Sequence, residues 1–283
     1  MNKHNKNIIT PCPVCNEKEH LKSFKWNKQE IISCQRCALD FCPIIIQKES
    51  DSDSSPTPKE HLKMLKDTFK DIQKIADQRC NARILIYKLF LGNPVNDVIE
   101  IGCGPGVFYS PFTKNSIAWR GLEVNPLWIK WGISNNIPIE KESISNYKKC
   151  FDLIFACQVL EHLEEPHRFL EDIIGALRPG GLVHFEVPNQ NSFISKLRKI
   201  SPLISSDYGF IHPPGHMRAY CTTTLKHLFN YYDMKIKLLS VYPNDHIVWG
   251  QVHLQPPLIN RIGFRISEML GQGSLLVGIA QKQ

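Results

Sequence analysis

Three groups of residues in this chain have types and spacings that could do chemistry. Two cysteine pairs, Cys12-Pro-Val-Cys15 and Cys34-Gln-Arg-Cys37, are separated by eighteen residues. The pattern C-x2-C-x18-C-x2-C has the spacing of a structural zinc site, in which each pair offers two thiolates from one turn and two turns close a tetrahedral S4 shell. A second group is the stretch "VIEIGCGPG", Val98 to Gly106, where an apolar run enters three alternate glycines without a linker. Such a turn lets backbone approach a ligand closely. The third group is histidine-rich: Glu161 and His162 in "QVLEHLEEP", then His212, His216 and Tyr220 in "HPPGHMRAYC". Histidine titrates near neutral pH and can accept a proton from a reacting hydroxyl.

These groups need elements to hold them. Residues 1–48 are short, lysine-rich and carry both cysteine pairs. With few large apolar residues, such a segment draws its folding energy from a bound metal, so Zn2+ is expected in a structural role. A thioredoxin-like redox use of the pairs would need a strand-to-helix context that is missing. Residues 49–60 fall in a Ser, Asp and Pro-rich run without apolar side chains, which reads as a solvated linker. From residue 61 to 283 a larger domain follows. Leu62, Leu65, Phe69, Ile72, Ile75 and Ala76 keep a three-to-four spacing, predicting a helix to about Phe90 that stops at Gly92-Asn-Pro94. "DVIEIG", "AWRGLEV", "IPIE", "FDLIFAC" and "GLVHFEV" read as strands, with an amphipathic helix in "EPHRFLEDIIGA". "TTTLKHLFNYYD" predicts a helix, and "MKIKLLSVY" and "SLLVGIAQK" two closing strands. Apolar strands alternating with helices predict an α/β fold with a largely parallel sheet.

Bulk properties narrow the classes. The 283 residues are 42% hydrophobic and 22% charged, ordinary for a globular chain with a sizeable core. No run approaches 18 uninterrupted apolar residues, so no membrane span is expected. The N-terminus lacks an apolar signal core, and the ten cysteines are therefore expected to be reduced, in a cytoplasmic protein. A net charge of +7 is only a mild pull toward anionic partners.

The glycine turn follows the first strand of the sheet, where open α/β sheets bind ligands. No Gly-Lys-Ser or Gly-Lys-Thr follows, which excludes a P-loop. The dinucleotide fingerprint G-x-G-x-x-G fails at Val107. What stands is E-x-G-x-G-x-G, with Glu100 in the strand end and Glu123 about twenty residues on, at the end of the next strand, where a ribose would lie.

Glu100-Ile-Gly-Cys-Gly-Pro-Gly106, Glu123, "FDLIFACQVLEHLEEP" and "LRPGGLVHFEVPN" together resemble the class I S-adenosylmethionine (SAM)-dependent methyltransferases. The resemblance is to the branch holding ubiquinone-type O-methyltransferases and many sugar and glycan methyltransferases. It spans about Asp97 to Asn189, and the later elements fit the family's ending. It implies a Rossmann-like seven-stranded sheet flanked by helices, preceded by the small zinc ribbon. It also implies cofactor roles for Glu100, Gly102, Cys103, Gly104 and Gly106 at the turn and for Glu123 and Val124 beyond it. Ser143 stands where this family often has an aspartate near the adenine, and Cys157 and Gln158 fall beside the sulfonium.

For the acceptor, the resemblance implies contacts from Glu161, Asn189 and His212. His216 is the expected base, with His162 the competitor and Tyr220 a partner over the acceptor. In ubiquinone-type enzymes a carboxylate three residues before the Glu-His pair joins it in holding a divalent metal. Here that residue is Gln158, a poorer ligand, so no catalytic metal is expected. The expected acceptor is a sugar, glycan or related small molecule, methylated on oxygen. RNA is the less favoured partner: residues 1–50 hold eight Lys/Arg against five Asp/Glu, and four zinc-bound thiolates lower that balance further. The module then reads as a lid or wall of the acceptor site. A third reading is a SAM- and zinc-binding interaction protein without turnover. The acceptor's identity and the oligomeric state stay open at this level.

Overall fold

The computed structural model describes residues 10–43, 58–242, 270 and 272–283. The segment "NDHIVWGQVHLQPPLINRIGFRISEML" that could cover the site or pack as an extra helix lies almost wholly outside the described residues, as does most of the expected linker.

At the N-terminus, strands β1 (Leu21–Trp26), β2 (Gln29–Cys34) and β3 (Asp40–Phe41) form an antiparallel meander. Asn27 turns the first hairpin with φ 54°, a conformation asparagine tolerates. Helix α1 (Pro58–Leu91) then begins on a proline, whose fixed φ suits a first helical turn. It ends at Gly92, φ 70°, as the Gly-Asn-Pro signal predicts.

The large sheet takes its strands in the order β10-β11-β8-β7-β4-β5-β6. They are β4 (Asp97–Ile101), β5 (Ala118–Leu122), β6 (Ile139–Glu140), β7 (Phe151–Cys157), β8 (Leu177–Pro188), β10 (Lys235–Tyr242) and β11 (Leu275–Gln281). Strands β4 to β8 pair in parallel, and β11 inserts antiparallel between β8 and β10. Helices α2 (Tyr109–Lys114), α3 (Pro126–Ser134) and α4 (Pro166–Ala176) make the crossovers, short α5 (Phe193–Arg198) follows β8, and α6 (Thr222–Asn230) leads into β10. The apolar runs are explained by burial on both faces: Ile99, Leu153, Ile154, Leu182 and Val187 are fully buried in the centre. Chain order reverses between β4 and β7, so the switch point lies at the carboxyl ends of these two strands.

The N-terminal meander is not closed by its own residues. β3 pairs antiparallel with β9 (Arg218–Ala219), a strand inside the histidine loop of the larger domain. Further bonds fasten the two units: Thr224 Oγ1 donates to the Cys37 carbonyl at 2.8 Å, and His167 Nε2 to the Val14 carbonyl at 2.8 Å. Lys199 Nζ pairs with Asp40 at 2.7 Å. Cys221, rather than Thr222 or Thr223, is the N-cap of α6, which leaves Thr224 free to face the cysteine module.

Candidate active site

The glycine turn leaves β4 with Gly102, Gly104 and Gly106 at φ 66°, 52° and 72°. L side chains rarely adopt these values, so the alternation of glycines is a backbone requirement. The three differ in what surrounds them. A Cβ on Gly102 would meet Val159 Cγ2 at 3.1 Å, and one on Gly106 would meet Ile137 Cγ2 at 2.6 Å. At Gly104 a Cβ would meet nothing within 4 Å, so this glycine faces open space where a ligand can lie against the backbone.

Glu123 closes that space. Its Oε2 accepts from Gly104 N–H at 2.8 Å, and its Oε1 from Val124 and Asn125 N–H at 2.7 and 2.9 Å. Three of roughly four lone-pair directions are thus used. One ribose hydroxyl can be accepted at Oε2, while a second must displace a backbone donor. Val124 is 80% exposed beside it, an apolar surface suited to a flat base. Ser143 lies exposed just past β6, where its Oγ caps the turn at Ile144–Asn146.

Three residues expected at the cofactor sit elsewhere. Glu100 is buried beneath the turn and accepts from Trp119 Nε1 at 3.1 Å; burial pushes its carboxyl well above the usual range. It supports the turn from below because the strand's alternation turns its side chain into the core. Cys103 is buried in the same cluster, its Sγ directed at its neighbour's carbonyl. Cys157 is buried beside His184 and Glu186, and adjacent Gln158, at φ 55°, donates its N–H to the Glu186 carbonyl at 2.8 Å. The Cys157 thiol is thus buried away from the turn, whereas Gln158 is half-buried.

Below it lies a network that the sequence did not single out. Arg83 of α1 pairs with Glu186 at 2.6 Å, His184 Nε2 donates to Glu186 at 3.1 Å, and Tyr87 hydroxyl donates to His184 Nδ1 at 3.0 Å. Burial alone would raise the Glu186 carboxyl, but Arg83 and His184 outweigh it and hold it near about 2. The only sequence signal was a histidine and a glutamate inside an otherwise apolar strand.

Of the six residues that the sequence reading assigned to an acceptor, the structure brings four together. Val159 packs on Gly102 and leads into the turn at Leu160–His162, so Glu161 and His162 lie beside the cradle. The loop brings His216 against His162, ring centroids 4.6 Å apart, and His212 stacks on His216 at 4.1 Å. His162 Nδ1 donates to the Gly215 carbonyl at 3.0 Å, which fixes its tautomer and leaves Nε2 as an acceptor. Burial, with His212 and His162 alongside, pushes His216 down to about 3. His216 is the deeper of the two rings, whereas His162 is exposed.

The other two differ. Tyr220 is fully buried, its hydroxyl donating to the Leu160 carbonyl at 3.2 Å, so it pins the loop rather than facing an acceptor. Asn189 is buried, with Nδ2 donating to the Gly273 carbonyl and Oδ1 accepting from Asn191 N–H. Its amide is consumed in joining β8 to the approach of β11. Arg218, also unforeseen, is buried and donates from Nη2 to the Glu164 carbonyl at 2.9 Å.

The four cysteines of the N-terminal module converge. Cys12 and Cys37 Sγ are 3.5 Å apart, Cys15 and Cys34 Sγ 3.4 Å, and all four lie within 4.8 Å of one another. A tetrahedral zinc with bonds of about 2.3 Å places its sulfurs roughly 3.8 Å apart, so the donors fit that ion.

A mostly parallel sheet of this order, with a glycine cradle and an acidic residue at the next strand end, defines a class I SAM-dependent methyltransferase. Residues 66–237, more than half of the chain, match the family described as a methyltransferase domain, and the chain belongs to it. The ubiquinone biosynthesis O-methyltransferase of Coxiella burnetii is 24% identical over 105 residues, covering 33% of this chain and 44% of that protein. That of Methylobacterium sp. is 30% identical over 94 residues, covering 30% and 38%. The match thus spans less than half the length of these curated relatives. Among solved structures, the plantazolicin methyltransferase BpumL in complex with SAH superposes with a TM-score of 0.52 at 16% identity, over 81% of this chain and 92% of that one. A SAM-dependent methyltransferase from Archaeoglobus fulgidus gives 0.50 at 20%, over 74% and 94%. Both likenesses concern the fold.

Proposed function

We propose that this protein transfers the methyl group of SAM to a hydroxyl of a small-molecule acceptor, a sugar, glycan or related compound. The observation that carries this reading is the gathering of Glu161, His162, His212 and His216 at the end of β7, next to the glycine cradle at the end of β4. SAM supplies an activated methyl sulfonium, so the chain's task is alignment and proton removal. Gly104 gives the cofactor a close approach to backbone, Glu123 accepts a ribose hydroxyl, and Val124 lies against the adenine. An acceptor hydroxyl over the histidine cluster loses its proton to an imidazole, with His162 Nε2 held as an acceptor by its bond to Gly215. Desolvation by the surrounding loop lowers His162, which keeps it neutral near pH 7, while His216, pushed down to about 3, serves as a neutral contact rather than as the base.

The cysteine module, in this reading, holds a structural Zn2+ through Cys12, Cys15, Cys34 and Cys37. It walls the acceptor site by clamping β9, which carries the loop containing His212 and His216. The test uses methyl-labelled SAM with fractionated cell extract. Label in a small-molecule or glycan fraction is expected, with loss of at least about tenfold in kcat for His162→Ala. Label confined to RNA, or none from protein that binds SAM, overturns the proposal.

A further inference from the structure

Between the cysteine module and the larger domain lies a cavity of about 440 Å3, in whose walls none of Glu161, His162, His212 and His216 takes part. Residues 10–16 and 41–43 form its module side, and Glu164, His167, Glu171, Arg218, Tyr231 and Tyr232 the other. Its size is that of small-molecule sites, which favour seams between folded units. Exposure falls from 71% at Tyr231 to 3% at Arg218, so the cavity runs from an aromatic mouth to an arginine at its floor. Arg218 donates from Nη2 to the Glu164 carbonyl, while its Nε and Nη1 have no hydrogen-bond partner among the described residues, cysteine sulfurs included. A buried guanidinium without acceptors is costly, and its free N–H groups are donors for an anion. The aromatic wall is held in place. His167 Nε2 is committed to the Val14 carbonyl, so Nδ1 accepts from the Tyr232 hydroxyl at 3.0 Å. Tyr231 stands edge-on to both rings, with centroids 4.9 Å from His167 and 5.0 Å from Tyr232.

We infer that this seam cavity binds a small monocarboxylate with a flat ring, its carboxylate on Arg218 and its ring against Tyr231. The planar guanidinium matches a carboxylate in shape and charge, and a rigid tyrosine gives a ring contact area at little cost in entropy. A phosphate is disfavoured. Glu164 and Glu171 line the same cavity, as do Cys12 and Cys15, whose thiolates add negative charge when a metal holds them. One arginine offsets a single negative charge, and the nearly doubled charge of a phosphate monoester would meet net repulsion. The same two carboxylates accept hydrogen bonds, so they favour a ring compound that also carries hydroxyl or amino donors. The occupant touches both the module and the larger domain, and it therefore fastens the seam in which β9 lies. The site does not depend on the proposed reaction.

The experiment titrates the full chain, saturated with SAH to keep the probe out of the cofactor cradle, with mandelate by calorimetry and ligand-observed NMR. Saturable binding of one equivalent is expected, with a Kd of about 1 mM or tighter. The matching amide, mandelamide, should bind at least about tenfold more weakly, because it brings no charge to the guanidinium. Phenyl phosphate should also bind more weakly than mandelate. Arg218→Lys should weaken mandelate at least about tenfold and Tyr231→Ala at least about threefold, with SAH affinity unchanged in both. SAH affinity reports folding, and Tyr231→Ala, at an exposed position, carries the test if Arg218→Lys does not fold. No saturation below about 10 mM overturns the inference. So does binding that mandelamide matches, that phenyl phosphate exceeds, or that survives both substitutions. Loss of mandelate binding in His162→Ala would put the probe in the histidine cluster and overturn it as well. No arm reads methyl transfer, so the proposed reaction and this site fail independently.

Discussion

At the residue scale, the three glycines of the turn illustrate how one motif serves two purposes. Gly106 is required by packing and Gly104 by the space it leaves open, so equal substitutions should fail differently. Gly104→Ala places a side chain in a left-handed conformation at a cost of about 1–2 kcal/mol but meets no atom. It should keep the fold and lose SAM affinity by roughly tenfold or more, read by calorimetry. Gly106→Ala pays the same strain and drives into Ile137, so its melting temperature should fall first and further. Similar losses of stability in both would refute the distinction. Glu186 makes a second prediction. Its folded pKa near about 2 lies below the unfolded value of about 4.3, so its contribution is present above the unfolded value and disappears as pH falls toward about 2. Melting temperature between about pH 5 and about pH 2 should drop more steeply in the parent than in Glu186→Gln. The variant should also be less stable at neutral pH, by about 3–5 kcal/mol, because it strands Arg83 in the interior.

At the scale of elements, β9 is the decisive piece. Two residues of strand connect the cysteine module to the loop that carries His212 and His216, with the Thr224–Cys37 bond as a second tie. Loss of the Zn2+ proposed for the module should therefore loosen this loop before it disturbs the cradle. In Cys12→Ser/Cys37→Ser protein, amide exchange across residues 212–220 should rise by an order of magnitude or more, while SAM affinity changes less than about threefold. Unchanged exchange there would show that the module and the loop are energetically independent. The same geometry explains why Tyr220 is structural. It lies immediately after β9, where its ring is fully buried and its hydroxyl anchors to Leu160.

For the molecule as a whole, the charge balance bears on the partner. The net charge of +7 is modest for 283 residues, and Glu164, Glu165 and Glu171 lie in or next to α4, against which the cysteine module packs. An RNA-gripping surface would carry a dense basic stripe and would lose affinity steeply with salt. Binding to total RNA between about 50 and 200 mM salt should be weak, with a shallow slope; tight binding with a steep slope would favour the RNA reading. No helix among the described residues is long and apolar enough to cross a membrane.

Much of the fold was legible in the linear chain, for local reasons. Apolar runs between helix-period segments specify a parallel sheet, because only strands buried on both faces tolerate them. Glycine alternation and Glu123 identify the cradle, because left-handed backbone and a carboxylate at the next strand end have few other uses together. The cysteine spacing is equally local. Side-chain direction was not legible: Glu100, Cys103 and Cys157 sit in the right motif yet turn into the core, since the strand's alternation and the sheet's two covered faces decide which residues meet a ligand. Nor could the chain order show that His216 would lie beside Glu161 and His162, or that a strand from the histidine loop would complete the cysteine module. Those are contacts between segments more than fifty residues apart or nearly two hundred. The sequence alone determined the methyl donor's cradle and the class of fold, because both are written in neighbouring residues. Only the tertiary structure decided which polar groups gather beside the cradle and which turn into the core, because burial is a property of packing between distant parts of the chain.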